Sequence, residues 1–279
     1  MNRRIIILYH WLTRKNSVGI VAMAKFLCAP RMPKIAARYI SRIEETDGYL
    51  QVWLKGMDDC LFWPKEFDPY LLKAMIAEIC DATNWHCYFH PLTPIGSEDV
   101  VIDVGAAEGL FSLIALQRGA RVVAIEPNPV FVAAMQKTFG RHIPERVTVF
   151  HAAAGDHEAE VRAPLEPLVS SVRVVGPGSE GDVRMVPLDR LLSDLDRVTF
   201  IKADIEGMEM QMLKGACGLI RRFHPKLAIT CYHEANDYRE MIRFVQGLVP
   251  EYRVALSGIS QFGGKPLLVR FWVPGKADA

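Results

Sequence analysis

From residue 100 to residue 273, short apolar runs alternate with stretches in which apolar positions recur every three to four residues. Short runs read as buried strands and the longer periodicity as helices. The strands are predicted at Val100–Val104, Arg121–Glu126, Val147–Ala152, Val198–Ala203, Lys226–Tyr232, Arg253–Leu256 and Leu267–Val273. Helices are predicted from Leu110 to about Arg118, from Pro129 to about Phe139, from Met208 to Arg221 and from Asn236 to Leu248. Asn128 and Pro129 supply an N-cap and a first-turn proline for the second of these. Strand and helix in alternation imply a mostly parallel sheet with helices on both faces. Residues 155–186 break the rhythm with glycine, proline and short β-like runs at Glu160–Ala163 and Val172–Val175. An irregular insertion of that length is expected to face a substrate.

Upstream the pattern changes. Tyr49–Leu54 alternates, Gly56–Asp59 turns and Cys60–Trp63 is apolar, which predicts a β-hairpin over 49–63. Asp68 and Pro69 open a helix to about Asp81, with Leu71, Leu72, Met75, Ile76 and Ile79 at helical spacing. An aromatic stretch, Trp85–His90, follows. The chain thus divides into a basic helical extension (1–45), a hairpin-and-helix cap (46–97) and an α/β domain (98–279) holding the insertion.

Composition adds a charge asymmetry. Residues 1–43 hold nine Lys or Arg and no acid, which leaves 24 basic against 32 acidic residues in the rest, a net of −8. The apolar runs of this head are too short and too interrupted to span a bilayer, and no cleavable signal is evident. Two readings of the head stand: a helical extension packed on the body or on a second subunit of a homo-oligomer, or a contact for an anionic partner or membrane surface. The six cysteines (28, 60, 80, 87, 217, 231) form no Cys-x-x-Cys pair, which fits a reduced, cytoplasmic setting or the inner surface of its membrane. An acidic body excludes a phosphate-backbone partner, so no nucleic acid is expected.

The candidate chemistry begins where the first strand ends. Asp103-Val-Gly105-Ala106-Ala107-Glu108-Gly109 is a glycine-bearing turn into a helix, and Glu126-Pro127-Asn128 closes the next strand 23 residues beyond Asp103. Glycine lets the backbone turn sharply against a ligand, and an acid at that spacing reaches ribose hydroxyls. The dinucleotide fingerprint needs a middle glycine, where this chain has Ala107, and Glu108 would repel a pyrophosphate. A carboxylate there suits a cationic ligand. S-adenosylmethionine, with its ammonium and sulfonium, fits better than NAD or ATP. The expected cofactor contacts are Asp103, Gly105, Ala106, Glu108, Gly109, Glu126, Pro127, Asn128 and Ala153.

A second constellation, Lys202-Ala-Asp204-Ile-Glu206-Gly207-Met-Glu209, ends the fourth strand. Ligands of open α/β sheets bind outside the carboxyl ends of the strands, so Asp204 is expected to face the first turn across a cleft. Glu206 and Glu209, three apart, share one side of a helix start, where they also suit the helix dipole. Together with the first turn and Glu126-Pro127-Asn128, the run of Lys202, Asp204, Glu206, Gly207, Glu209, Leu213, Gly215 and Ala216 resembles the FkbM family of S-adenosylmethionine-dependent methyltransferases. The resemblance covers about 98–235 and extends to Cys231-Tyr232-His233 at the end of strand five. The Ser257–Lys265 segment is glycine-rich where many relatives carry an aromatic and His-rich tail.

The resemblance implies a seven-stranded Rossmann-like class I methyltransferase fold and O-methylation of a hydroxyl on a sugar, glycan or other secondary metabolite. His233, whose unperturbed pKa lies near neutrality, is expected to be the base, with Asp204, Glu206 and Glu209 as orienting or alternative groups. No metal is expected. The competing reading is a non-catalytic module of the same fold that engages an anionic partner or membrane through its basic head.

Overall fold

The computed structural model describes residues 3–14, 16–163, 173–174, 181–233 and 237–275. Three short helices open the chain: α1 (Arg3–Thr13), α2 (Ile20–Cys28) and α3 (Met32–Ala36). A three-stranded antiparallel sheet follows, β1 (Ile40–Thr46), β2 (Tyr49–Leu54) and β3 (Cys60–Pro64) in that order, and then helix α4 (Pro69–Cys80). The hairpin is as expected. Strand β1 is not, because the extension was expected to stay helical to residue 45. Most of β1 lies on the surface, so it carries no alternation of buried and exposed positions to read. Asp68 caps α4 by accepting a hydrogen bond from the Tyr70 amide (2.8 Å).

The α/β body then runs β4 (Val100–Val104), α5 (Leu110–Gln117), β5 (Arg121–Glu126), α6 (Pro129–Phe139), β6 (Val147–His151) and β7 (Ala153–Ala154). It continues through β8 (Ala159–Arg162), β9 (Arg173–Val174), β10 (Val183–Val186), α7 (Leu188–Leu191), β11 (Phe200–Ala203), α8 (Glu209–Lys214) and α9 (Cys217–Phe223). The last elements are β12 (Lys226–Thr230), α10 (Tyr238–Leu248), β13 (Arg253–Ser257) and β14 (Leu268–Trp272). Seven strands form one sheet in the order β13-β14-β12-β11-β4-β5-β6. All pair in parallel except β14, which runs antiparallel between β12 and β13. The predicted α/β class and the adjacency of strands one and four are therefore present: β4 and β11 pair from Val101↔Phe200 to Val104↔Ala203.

Two apolar cores cover the faces of this sheet. One of them joins the cap to the body, since Val52, Leu61, Trp63 and Ile76 share a cluster with Val101, Phe111 and Phe131. Phe67 and Phe131 meet across the seam with ring centroids 5.0 Å apart and planes tilted by 58°. The cap is thus part of the core of the body.

Elsewhere boundaries move. The predicted helix Met208–Arg221 is two helices, α8 and α9, broken at Gly215 and Ala216. A side chain at Gly215 would collide with the Gly155 carbonyl, so the chain is pressed against the insertion there and bends. Asp189 then caps α9, accepting from the amides of Gly218 (2.7 Å) and Leu219 (2.8 Å). Within 155–186 the described residues form a small sheet in the order β7-β10-β8-β9. Residues 164–172 and 175–180 of the expected insertion, and Asn236 of the expected last helix, lie outside the described residues.

Candidate active site

The two motifs meet where β4 and β11 end side by side. After β4 the backbone enters the left-handed region at Gly105, Ala107 and Gly109 (φ 70°, 48° and 88°), a tight turn that ends at the start of α5. Gly105 and Ala106 donate their amides to the Ile125 carbonyl (2.9 and 3.2 Å), which ties the turn to the end of β5. A side chain at Gly105 would strike the Asp204 carbonyl, so the two constellations touch through their backbones at this glycine.

A cavity of about 540 Å³ opens beside this junction. Gly105, Ala106, Glu108, Glu126, Pro127, Asn128 and Ala153 line it on one side, and Asp204, Glu206 and His233 on the other. Glu126 accepts from the amides of Ala107 and Asn128, one at each oxygen (both 2.8 Å). Each oxygen keeps a lone pair. Burial pushes Glu126 up to about 7, although those two amides pull against it. Asn128 caps α6 by accepting from the Val130 amide (2.9 Å).

Glu108 is 1% exposed, and neither of its oxygens has a hydrogen-bond partner among the described residues. Burial raises it to about 8, against the pull of the backbone and of Lys202. A carboxyl buried at the edge of a cavity with no side chain to pair it is a costly arrangement in a free protein. It is what a cation-binding pocket requires.

Two expected cofactor contacts sit differently. Asp103 is fully buried beneath the turn, outside the cavity lining. It pairs with the Lys202 ammonium (2.9 Å) and accepts from the Ser112 hydroxyl (2.7 Å). Lys202 in turn donates to the Gly105 carbonyl (2.6 Å), so Asp103 acts on the turn through Lys202. Its β4 register, with side chains alternating across the strand, turns it into the core. Gly109 likewise lies behind the wall, packed against Met135 and Phe139.

Across the cavity, Asp204 is held from the cap. The Tyr88 hydroxyl donates to its Oδ2 (2.6 Å), while His86 Nε2 approaches the same oxygen (3.7 Å) and pairs through Nδ1 with Glu78 (3.3 Å). Burial would raise Asp204, but the charges of His86, Lys202 and His233 and the Tyr88 bond outweigh it and hold the carboxyl below its usual range. Glu206 sits on a left-handed residue (φ 53°) with its side chain a third exposed and Oε2 3.3 Å from His233 Nε2.

Glu209 was expected among the catalytic groups, and the structure makes it a support. It is completely buried and outside the lining. It accepts from the amides of Ile205 (3.1 Å) and Gly207 (2.9 Å), from the Thr230 hydroxyl (2.8 Å) and from His233 Nδ1 (2.8 Å). Glu209 thereby folds the turn that carries Glu206 and aims His233 Nε2 at Glu206 and Asp204. His233 itself differs from the expected neutral imidazole. Burial alone would lower its pKa, but the bonds to Glu206 and Glu209 and the surrounding carboxylates push it up to about 10. Its ring is cationic at neutral pH. Asp204, Glu206 and His233 bring ligand atoms within 4.8 Å of one another, near enough to share one cation.

A model of the methyltransferase FkbM domain matches residues 103–252, just over half of the chain, and spans both constellations. The chain belongs to the FkbM methyltransferase family. Among solved structures, the chain is similar to methyltransferase FkbM from Methylobacillus flagellatus, at 28% identity and a TM-score of 0.50 over 65% of its own length. The chain spans 45% of the length of that protein. Two further matches are an rRNA methylase from Streptococcus thermophilus (12% identity, TM-score 0.42, 64% of this chain and 89% of that one) and a SAM dependent methyltransferase from Aquifex aeolicus (15%, 0.36, 64% and 83%). No curated protein matches the chain.

Glu78, His86, Tyr88, Thr230 and Tyr232 were absent from the expected site. The aromatic stretch at 85–90 was the one available signal, and the Tyr88–Asp204 bond joins residues 116 apart in sequence.

Proposed function

We propose that this FkbM methyltransferase transfers the methyl group of S-adenosylmethionine to a hydroxyl of a sugar, glycan or other secondary metabolite. The observation that carries the reading is the buried Glu108, whose carboxyl no side chain pairs and which lines the same cavity as Asp204, Glu206 and His233. Bound there, S-adenosylmethionine supplies a methyl group on a cationic sulfur. Glu108 holds a positive group of the cofactor, and Glu126 offers its remaining lone pairs to ribose hydroxyls.

The acceptor hydroxyl meets the opposite wall. Asp204, kept ionised and fixed by Tyr88, orients it. Glu206 is the more exposed carboxylate, and its oxygen receives the proton that the hydroxyl gives up. His233, already protonated, restrains Glu206 and balances the charge of three carboxylates. Positioning of the two reactants accounts for most of the rate enhancement in a displacement of this kind.

Isothermal titration tests the cofactor. Wild type is expected to bind S-adenosylmethionine, with affinity rising as the pH approaches 8 because Glu108 must ionise to meet a cation. Glu108→Gln is expected to bind at least about tenfold more weakly and to lose that pH dependence. Absence of binding by wild type would favour a non-catalytic module. Incubation with methyl-labelled cofactor and panels of glycans, lipids and small metabolites, read by mass spectrometry, tests the acceptor. His233→Ala is expected to spare cofactor binding and lower turnover.

A further inference from the structure

Helices α1 and α2 lie side by side as an antiparallel hairpin. The Arg4 guanidinium on α1 donates to the carbonyls of Leu27 (2.8 Å) and Ala29 at the far end of α2, and the Trp11 indole donates to the Val18 carbonyl (2.7 Å). The hairpin grips the body through both helices, with Ile7 and Met23 buried against Ile259 at the centre of the contact. Ile5, Tyr9 and Leu12 lie on the opposite side of α1 from Ile7, as a 100° step per residue requires. They are 55%, 59% and 69% exposed, and Ile20 and Val21 on α2 are 72% and 65% exposed. The bare face of the hairpin is apolar.

Its surroundings are positive. Arg3, Arg14, Lys25, Arg31, Lys34, Arg38 and Arg42 are all exposed, within a segment that contains no acid before Glu44. The remainder of the chain carries a net charge of −8. An anionic surface is therefore attracted at this end and repelled elsewhere. No helix among the described residues is long and apolar enough to cross a membrane. An apolar face bordered by basic residues, on helices of this length, is the pattern of a segment that lies in a bilayer interface.

We infer that the α1–α2 hairpin docks the protein on an anionic lipid bilayer. The opposite, buried face of the hairpin adjoins the active site. The loop joining β13 to β14 carries Ile259 against the hairpin and Gly264 against His10 and Arg14. The same loop presents Phe262, 60% exposed, at the lining of the cavity. Trp85, a neighbour of His86, stacks on Phe26 of α2 with centroids 4.6 Å apart. Docking thus sets the hairpin, one helix layer of about 10 Å, between the lipid headgroups and the wall of the cavity.

Flotation of the full chain with vesicles tests this independently of the catalytic reading, because it needs neither cofactor nor acceptor. The chain is expected to float with vesicles of equal parts phosphatidylcholine and phosphatidylglycerol, to stay behind with phosphatidylcholine alone, and to release as salt is raised. Leu12→Glu with Ile20→Glu, and separately Lys25→Glu with Lys34→Glu, are expected to weaken flotation at least about tenfold with an unchanged melting temperature, since all four side chains are exposed. Failure to float, equal flotation on phosphatidylcholine alone, or full flotation by both variants would overturn the inference. So would a wild-type dimer that Leu12→Glu converts to monomer without any lipid binding, since a second copy would then cover the face.

Discussion

Replacing Glu209 by Gln should drop the His233 pKa, because it removes the charge behind the ring while nearly keeping the side chain's shape. The imidazolium is held at about 10 by carboxylates, and the gap from the ordinary 6.5 corresponds to on the order of 5 kcal/mol at 1.36 kcal/mol per pH unit. Glu209 contributes both a hydrogen bond and an unscreened charge, because it is fully buried 2.8 Å from Nδ1, whereas Glu206 is a third exposed. An opposite charge at such range moves a pKa by about 1–3 units. Glu209→Gln is therefore expected to lower the His233 midpoint by about 2 units, and Glu206→Gln by less. Proton NMR of the imidazole resonances across pH 5 to 11 reads both. A raised folded pKa means that the linked stability is fully present below pH 6.5 and fades as the pH climbs through about 10. Chemical denaturation at pH 6 and pH 10 should show that loss in wild type and much less of it in Glu209→Gln. A wild-type His233 that titrates near 6.5 would refute the reasoning and return the ring to the role of a neutral base.

Three further outcomes follow from contacts described above. Gly105→Ala forces a left-handed residue to carry a methyl group into the Asp204 carbonyl; the expected result is a lowered melting temperature and loss of cofactor binding in titration. Asp103→Ala leaves the Lys202 ammonium buried without its ion pair. That should cost about 3–5 kcal/mol in urea unfolding, and a change below about 1 kcal/mol would deny the pair its place under the turn. Because the His233 ring, pushed up to about 10, already places its positive charge 3.3 Å from Glu206, Mn²⁺ added to the free chain is expected to give no bound signal in electron paramagnetic resonance, and EDTA should leave activity intact. Loss of activity restored by Mg²⁺ would reverse the assignment.

The α/β alternation and the glycine turn were readable because both are local. An apolar run feeding Gly105–Gly109 is a statement about neighbouring residues, and the parallel pairing of β4 with β11 follows from general topology. Roles set by distant partners were not readable. Nothing near Asp103 announces that its neighbour is Lys202, 99 positions on, or that Glu209 turns inward to collect four donors. Spacing placed Glu206 and Glu209 on one side of a helix start, yet the left-handed turn at Glu206 and Gly207 separates them into one group that faces the cavity and one that faces the core. The break at Gly215 was hidden for a similar reason. It answers the Gly155 carbonyl, 60 residues earlier, and helix propensity carries no trace of that approach.

The hydrogen bond from Tyr88 to Asp204 has a consequence for modular exchange. The cavity wall around Asp204 is built partly by the sheet and partly by the cap, and the cap residues Tyr88 and His86 help to hold the Asp204 carboxyl below its usual range. A chimera that borrowed another cap to change what enters the cavity would forfeit the donor that fixes this carboxylate. In this architecture, the shape of the cavity and the charge state of Asp204 are inherited together.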